Sequence, residues 1–201
     1  MVDPSAVESG LSDHAPLVLD LALSAEHTPQ VWDEEAFAIE IGRRHGPAAR
    51  GVVETLVSWA EQKERELATA AGVTAKVLTR FPTNGASAEP ELMFPVDLNV
   101  EPRGTQPTIS IHADGTVVVQ FGSMRHPPFD TEAARNELCV ALNEMEGVEI
   151  PESQLNGWPT FPLAVLEGQA NLLRLVGVLD RIATESHAAR PAGDAPPEEA
   201  R

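Results

Sequence analysis

Hydrophobic positions along this chain change period twice, and the changes mark its parts. In "WDEEAFAIEIGRRHGP" apolar residues recur with helical spacing between an acidic start and a basic end. Asp33 is placed to cap a helix whose first turn holds Glu34 and Glu35 and whose last holds Arg43, Arg44 and His45, charges that suit the two ends of the helix dipole. Gly46 stops it, and Pro47, harmless at a first helical position, opens a second helix. Val53, Leu56, Val57 and Ala60, with Ala49 and Val52 beside them, form its apolar stripe and Trp59 borders it; "EQKERE" reads as a solvated continuation that ends at Gly72.

From Val73 the period shortens towards two. "AKVLTRF" and "ELMFPVDLNV" read as strands around the turn-rich "PTNGASAEP". In the second, Leu92, Phe94, Val96, Leu98 and Val100 share a face, and Pro95, which has no amide hydrogen for a ladder, predicts an edge strand or a bulge. "TISIHADGTVVVQF" is a hairpin. A two-residue Asp114-Gly115 turn would split its apolar residues between faces. A three-residue loop, Ala113-Asp114-Gly115 with Gly115 left-handed, instead puts Ile109 and Ile111 beside Val117, Val119 and Phe121. Ser110, His112, Thr116, Val118 and Gln120 then share the other face.

The period then lengthens again. Pro127-Pro128 stiffens the hairpin's exit, and Asp130 is read as the cap of a helix from about Thr131 to Glu146, with Ala134, Leu138, Ala141, Leu142 and Met145 inward and Gly147 at its end. "VEIPESQLNGWPTFPLAVLEG" reads as turns and short helical pieces, and a last helix from about Gln169 to Glu185 turns Leu172, Leu173, Val176, Leu179 and Ile182 inward. Two helices, four strands and then helices predict an α+β fold, a four-stranded mainly antiparallel sheet packed by N-terminal and C-terminal helices. Residues 1–30 read as an acidic, largely disordered segment around "PLVLDLALSA", residues 31–185 as one domain, and residues 186–201 as a disordered tail.

Charge narrows the possible partners. The chain of 201 residues carries a formal net charge of −17. Residues 1–35 hold eight acids unopposed by Lys or Arg, and residues 186–201 a net single negative charge, which leaves −8 for the rest. Without a basic cluster, direct nucleic-acid binding is not expected, and anionic lipid would repel such a surface. No apolar run is long enough for a bilayer and the first twenty residues lack a basic start before an apolar stretch, so a cytoplasmic location is the expectation. The single cysteine, Cys139, excludes an internal disulfide and a multi-cysteine zinc site. Adjacent to a core position, it reads as a buried thiol.

Candidate chemistry falls in three places. Arg125 and His126 lie in the loop "FGSMRHPPFD", which is either the rim of a pocket, where an imidazole could move protons, or a corner anchored by Phe129. The corner is the preferred reading, since each residue there already has a structural role. Asp97 and His112, with Glu101 and Asp114 near in sequence, could instead hold a hard or borderline metal for phosphodiester hydrolysis. The acid-x-lysine pair that a PD-(D/E)xK nuclease places on its next strand is missing from "ISIHADG" and "VVVQF". Trp158, between Gly157 and Pro159, either plugs the end of the core or stands exposed as a partner contact. "GRRHGPAARG" lacks Walker spacing, and the glycine around Ser123 in "FGSMR" is misplaced for a nucleophile elbow, so no cofactor is expected.

Half of the chain resembles a bacterial domain family met only as uncharacterised sequence. Its pattern is a G-x-V-x-x-x-F strand (Gly115, Val117, Phe121), a PPF-D helix start (Pro127 to Asp130), L-N-x-x-x-G-V-x-I-P (Leu142 to Pro151) and P-x-x-P-L-x-x-L (Pro159 to Leu166). The resemblance implies a shared fold and no assigned activity. The leading functional expectation is a non-catalytic cytoplasmic protein-interaction or accessory domain with a protein partner. The alternatives are a metal-dependent hydrolase, such as a phosphodiesterase, using Asp97 and His112, and an acidic mimic of nucleic acid that binds a basic partner.

Overall fold

Asp33 does cap the first helix: its Oδ1 accepts the Ala36 amide at 2.8 Å, and α1 runs Glu34–His45. Gly46, at φ +98°, turns the chain directly into α2, Pro47–Ala71. Phe37, Ala38 and Ile41 of α1 are buried, with Ala49, Val52, Val53, Leu56 and Ala60 of α2. In the computed structural model residues 32–71, 90–97 and 105–189 are described. The segments read as the N-terminal acidic run, the strand "AKVLTRF", the "PTNGASAEP" turn, Glu101 and the tail beyond Ala189 lie outside them.

The sheet contains β1 (Glu91–Asp97), β2 (Thr105–His112), β3 (Thr116–Val119) and β4 (Thr160–Pro162), antiparallel throughout and in that spatial order. β1 is thus an edge among the described strands, and its register with β2 slips between Phe94 and Pro95, where β2 contributes the extra residue Thr108. Both consequences expected of Pro95 occur. The Thr108 hydroxyl donates to the Phe94 carbonyl and so satisfies a group beside the irregularity. In the hairpin Ile109 faces Val119 and Ile111 faces Val117, as the three-residue loop requires, and Gly115 has φ +83°. Leu92, Phe94, Ile109, Ile111, Val117, Val119 and Phe161 are all buried. Trp59 of α2 lies against the Phe94 ring, with centroids 6.4 Å apart, and α4, Gln169–Ala188, also packs on β1.

Several elements depart from the sequence reading. β4 lies in the stretch expected to form only turns and short helical pieces; Thr160-Phe161-Pro162, between prolines, is too short to show alternation. β3 ends at Val119, so Phe121, though buried, belongs to a single 3-10 turn. Helix α3 is Glu132–Asn143 and its cap is Thr131, whose hydroxyl accepts the Ala134 amide at 3.2 Å; Asp130 is one residue too early. In α4 Leu179 and Ile182 are buried and Leu172 and Val176 pack against the core as expected, but Leu173 is 62% exposed and Leu175, Val178, Ala183 and Ser186 are buried as well. The helix passes Ser186, where the tail was expected to begin, and buries it. Lys63, in the supposedly solvated part of α2, is buried and its ammonium lies 2.7 Å from the Asp180 carboxylate on α4.

Charge pairs arranged by helical spacing line the outside. Glu144–Arg174 and Glu137–Arg181 join α3 to α4 one heptad apart, which sets the two helices antiparallel. On α1, Glu40 accepts from both Arg43 and Arg44, and these hydrogen bonds hold its carboxyl down at about 2. A folded value below the unfolded one contributes stability above the ordinary carboxylate range, and that contribution disappears as pH falls through about 2. At such an exposed helix surface the contribution is small. Side-chain carboxyl NMR should therefore place the Glu40 titration near 2, apart from the other acids; a midpoint in the ordinary range would mean the fork is not held in solution.

Candidate functional site

The site is the corner where the loop after β3 meets the loop before β4. Phe121-Gly122-Ser123 make a 3-10 turn, Pro127-Pro128 is a cis bond, and Phe129 is buried beneath the loop. The expected cap is wrong there but the expected anchor is right. The second loop is tied to the first by backbone bonds: the Gly122 amide donates to the Gly157 carbonyl at 2.7 Å and the Val119 amide to the Pro159 carbonyl at 2.9 Å.

Arg135 clasps both loops. Only 7% exposed, it donates from Nε to the Leu155 carbonyl at 2.7 Å and from one terminal nitrogen to the Phe129 and Met124 carbonyls at 2.9 and 3.3 Å. Its other terminal nitrogen reaches Asn156 Oδ1 at 2.7 Å. The planar fork spans acceptors from three chain segments in fixed directions, which a lysine ammonium would not. The sequence reading missed this residue. Its signal was its position, three and four residues before Leu138 and Cys139 and seven before Leu142, all buried: an arginine on the inward stripe of α3.

On this frame Trp158 stands 58% exposed. Its ring lies on Gly122 so closely that a Cβ added there would come within 2.8 Å of Cζ2. Glycine is needed at position 122 for that approach. Trp158 therefore does not plug the core. Arg125 grips the same glycine from another side, its Nε donating to the Gly122 carbonyl at 2.9 Å, and both Arg125 and His126 are exposed. The structure thus brings Arg125 and Trp158 onto one glycine from positions 33 residues apart, with the exposed His126 next along the chain from Arg125.

The other candidate cluster does not assemble as expected. Asp97 pairs with Thr105, whereas His112 pairs with Glu91 at the opposite end of β1. At about 3.3 Å per residue the six steps between them span roughly 20 Å, too far for two ligands at about 2 Å from one ion. The imidazole of His112 instead meets the Glu91 carboxylate, Nε2 to Oε1 3.3 Å. Burial pushes the Asp114 carboxyl up, but hydrogen bonds from Thr116 and the nearby His112 and His45 rings outweigh it and leave the group below its usual range. Among the described residues no three His, Cys, Asp or Glu side chains converge on a possible metal position. Cys139 is buried, 3.5 Å from the Ile150 carbonyl, and burial first, then the Glu152 charge, raise its thiol away from the reactive thiolate.

The glycines, Asn143 and apolar residues of the motifs between Gly115 and Leu166 have structural roles here. Gly115 and Gly147 have φ +83° and +84°. Asn143 pairs its side-chain amide with the Ile150 backbone in both directions, at 2.9 and 2.7 Å, closing the turn after α3. Leu142, Val148, Ile150, Leu163 and Leu166 are buried. No family model, curated protein or solved structure matches this chain.

Proposed function

We propose that this chain is a non-catalytic protein-interaction domain whose contact surface is the corner carrying Trp158. The observation that carries the reading is an indole 58% exposed to water but seated on Gly122 and framed by Arg135. Exposed tryptophans on rigid supports make strong contact centres, because they offer a large apolar area with little conformational entropy to lose. A polar residue set serving only the fold would give no reason to leave the largest side chain in the corner facing solvent. A cytoplasmic partner protein fits this reading.

A photo-crosslinking residue at the exposed position 126, next to Arg125, tests it in the native cell. The corner should yield discrete crosslinked species that Trp158→Ala abolishes and Leu173→Ser, at another exposed apolar residue, on α4, retains. Identical crosslinking by all three would remove Trp158 as the contact.

A further inference from the structure

We infer, resting on the interaction reading above, that the partner of the corner is an acidic segment in which a side-chain carboxylate lies close to an apolar residue. Most of the cations among the described residues are paired within the chain. Arg43 and Arg44 pair with Glu40, Arg50 with Glu54, Lys63 with Asp180, Arg174 with Glu144, and Arg181 with Glu137 and Glu185. Arg135 is buried among carbonyls. Arg125 differs: it is exposed, its Nε is committed to the Gly122 carbonyl, and among the described residues its guanidinium has no carboxylate partner. In a chain of net −17, where acids outnumber bases by 31 to 14, an arginine without an acid among the described residues stands apart from the pairing seen there.

Its geometry suits an external carboxylate. Anchoring Nε fixes the plane of the guanidinium and leaves the two terminal NH2 groups, the end that meets a carboxylate with two parallel hydrogen bonds. The same glycine that holds Nε carries the Trp158 ring. A ligand carboxylate on Arg125 therefore places the neighbouring ligand residue at the indole, and an apolar side chain is what that face desolvates favourably. His126, next along the chain, is also exposed, so the ligand carboxylate is taken to be a side chain of a segment that lies across the corner. The chain's own acidity opposes approach only at long range. Its charges are screened beyond about 8 Å at physiological salt, and eight of the acids lie in residues 1–35.

Selection from an unbiased random-peptide display library on the full chain, counter-selected on Trp158→Ala, tests this. Enriched peptides should carry Asp or Glu within three positions of an aromatic or aliphatic residue. Fluorescence anisotropy with the enriched peptide should show about tenfold weaker binding to Arg125→Gln and none to Arg125→Glu, while a peptide with Lys in place of its acid should bind Arg125→Glu best. Enrichment of basic or uncharged peptides, no enrichment, or unchanged affinity in Arg125→Gln would overturn the acidic class. In each of those cases Trp158-dependent crosslinking at position 126 would leave the interaction surface standing, and its loss would remove both.

Discussion

Arg135→Met should lower the unfolding free energy by about 3–5 kcal/mol, the largest effect expected of any single polar residue in this fold. Methionine keeps most of the volume and the helix propensity of α3, so the loss isolates hydrogen bonding. Four acceptors lose their donor together: the carbonyls of Leu155, Phe129 and Met124, and Asn156 Oδ1. A buried acceptor without a partner costs about 1–3 kcal/mol, and these sit in two loops that the guanidinium joins. Arg135→Lys should recover part of the loss, since one ammonium can satisfy some acceptors but cannot span all three segments. Urea unfolding measures the stability, and amide exchange at Gly122, Phe129 and Leu155 measures whether the corner opens first. A loss under about 1 kcal/mol would mean water replaces the guanidinium and the corner stands without it.

That arginine also shows where sequence reasoning reached its limit. The hairpin register was legible because a one-residue slip would have turned Ile109 and Ile111 away from Val117 and Val119, so a single alignment satisfied the pattern. The caps of α1, the edge position of β1 among the described strands and the irregularity opposite Pro95 were legible because Asp33, Gly46 and Pro95 each restrict the backbone directly. In helix α4 Leu179 and Ile182 face inward as expected, and Leu172 and Val176 pack partly buried against the core. Leu173 faces solvent while packing against α2, α3 and β1 buries Leu175 and Val178, because leucines or valines at 172, 173, 175, 176, 178 and 179 leave the stripe broad. β4 draws its existence from the waiting edge of β3, not from its own three residues. The corner was half legible. Arg125 and His126 were singled out and Trp158 was considered as a contact, but nothing local announces that residues 122 and 158 touch. The pairing that unites them is a backbone connection between loops, and neither Asp97 nor His112 could be separated before the β1–β2 register was known.

The junction between α1 and the hairpin turn carries the second large effect. His45, the last residue of α1, bonds through Nε2 to the Ala113 carbonyl at 2.9 Å and lies flat against Gly115. Because a carbonyl only accepts, Nε2 carries the hydrogen. A Cβ at position 115 would meet His45 Cε1 at 2.8 Å, and the residue also has φ +83°, so alanine there meets two penalties of different origin. The left-handed backbone costs about 1–2 kcal/mol for a residue with a Cβ, and displacing the ring adds a comparable amount, for an expected total of about 2–4 kcal/mol in Gly115→Ala. The two are separable by a double-mutant cycle. His45→Ala alone should cost about 1 kcal/mol for the lost hydrogen bond. Combined with Gly115→Ala it should cost less than the sum of the singles by about 1 kcal/mol or more, since the alanine methyl then has room. Gly115→Asn in the His45→Ala background should recover further, because asparagine tolerates positive φ and only the backbone penalty remains. Strict additivity in chemical unfolding would show that ring and glycine are not in contact.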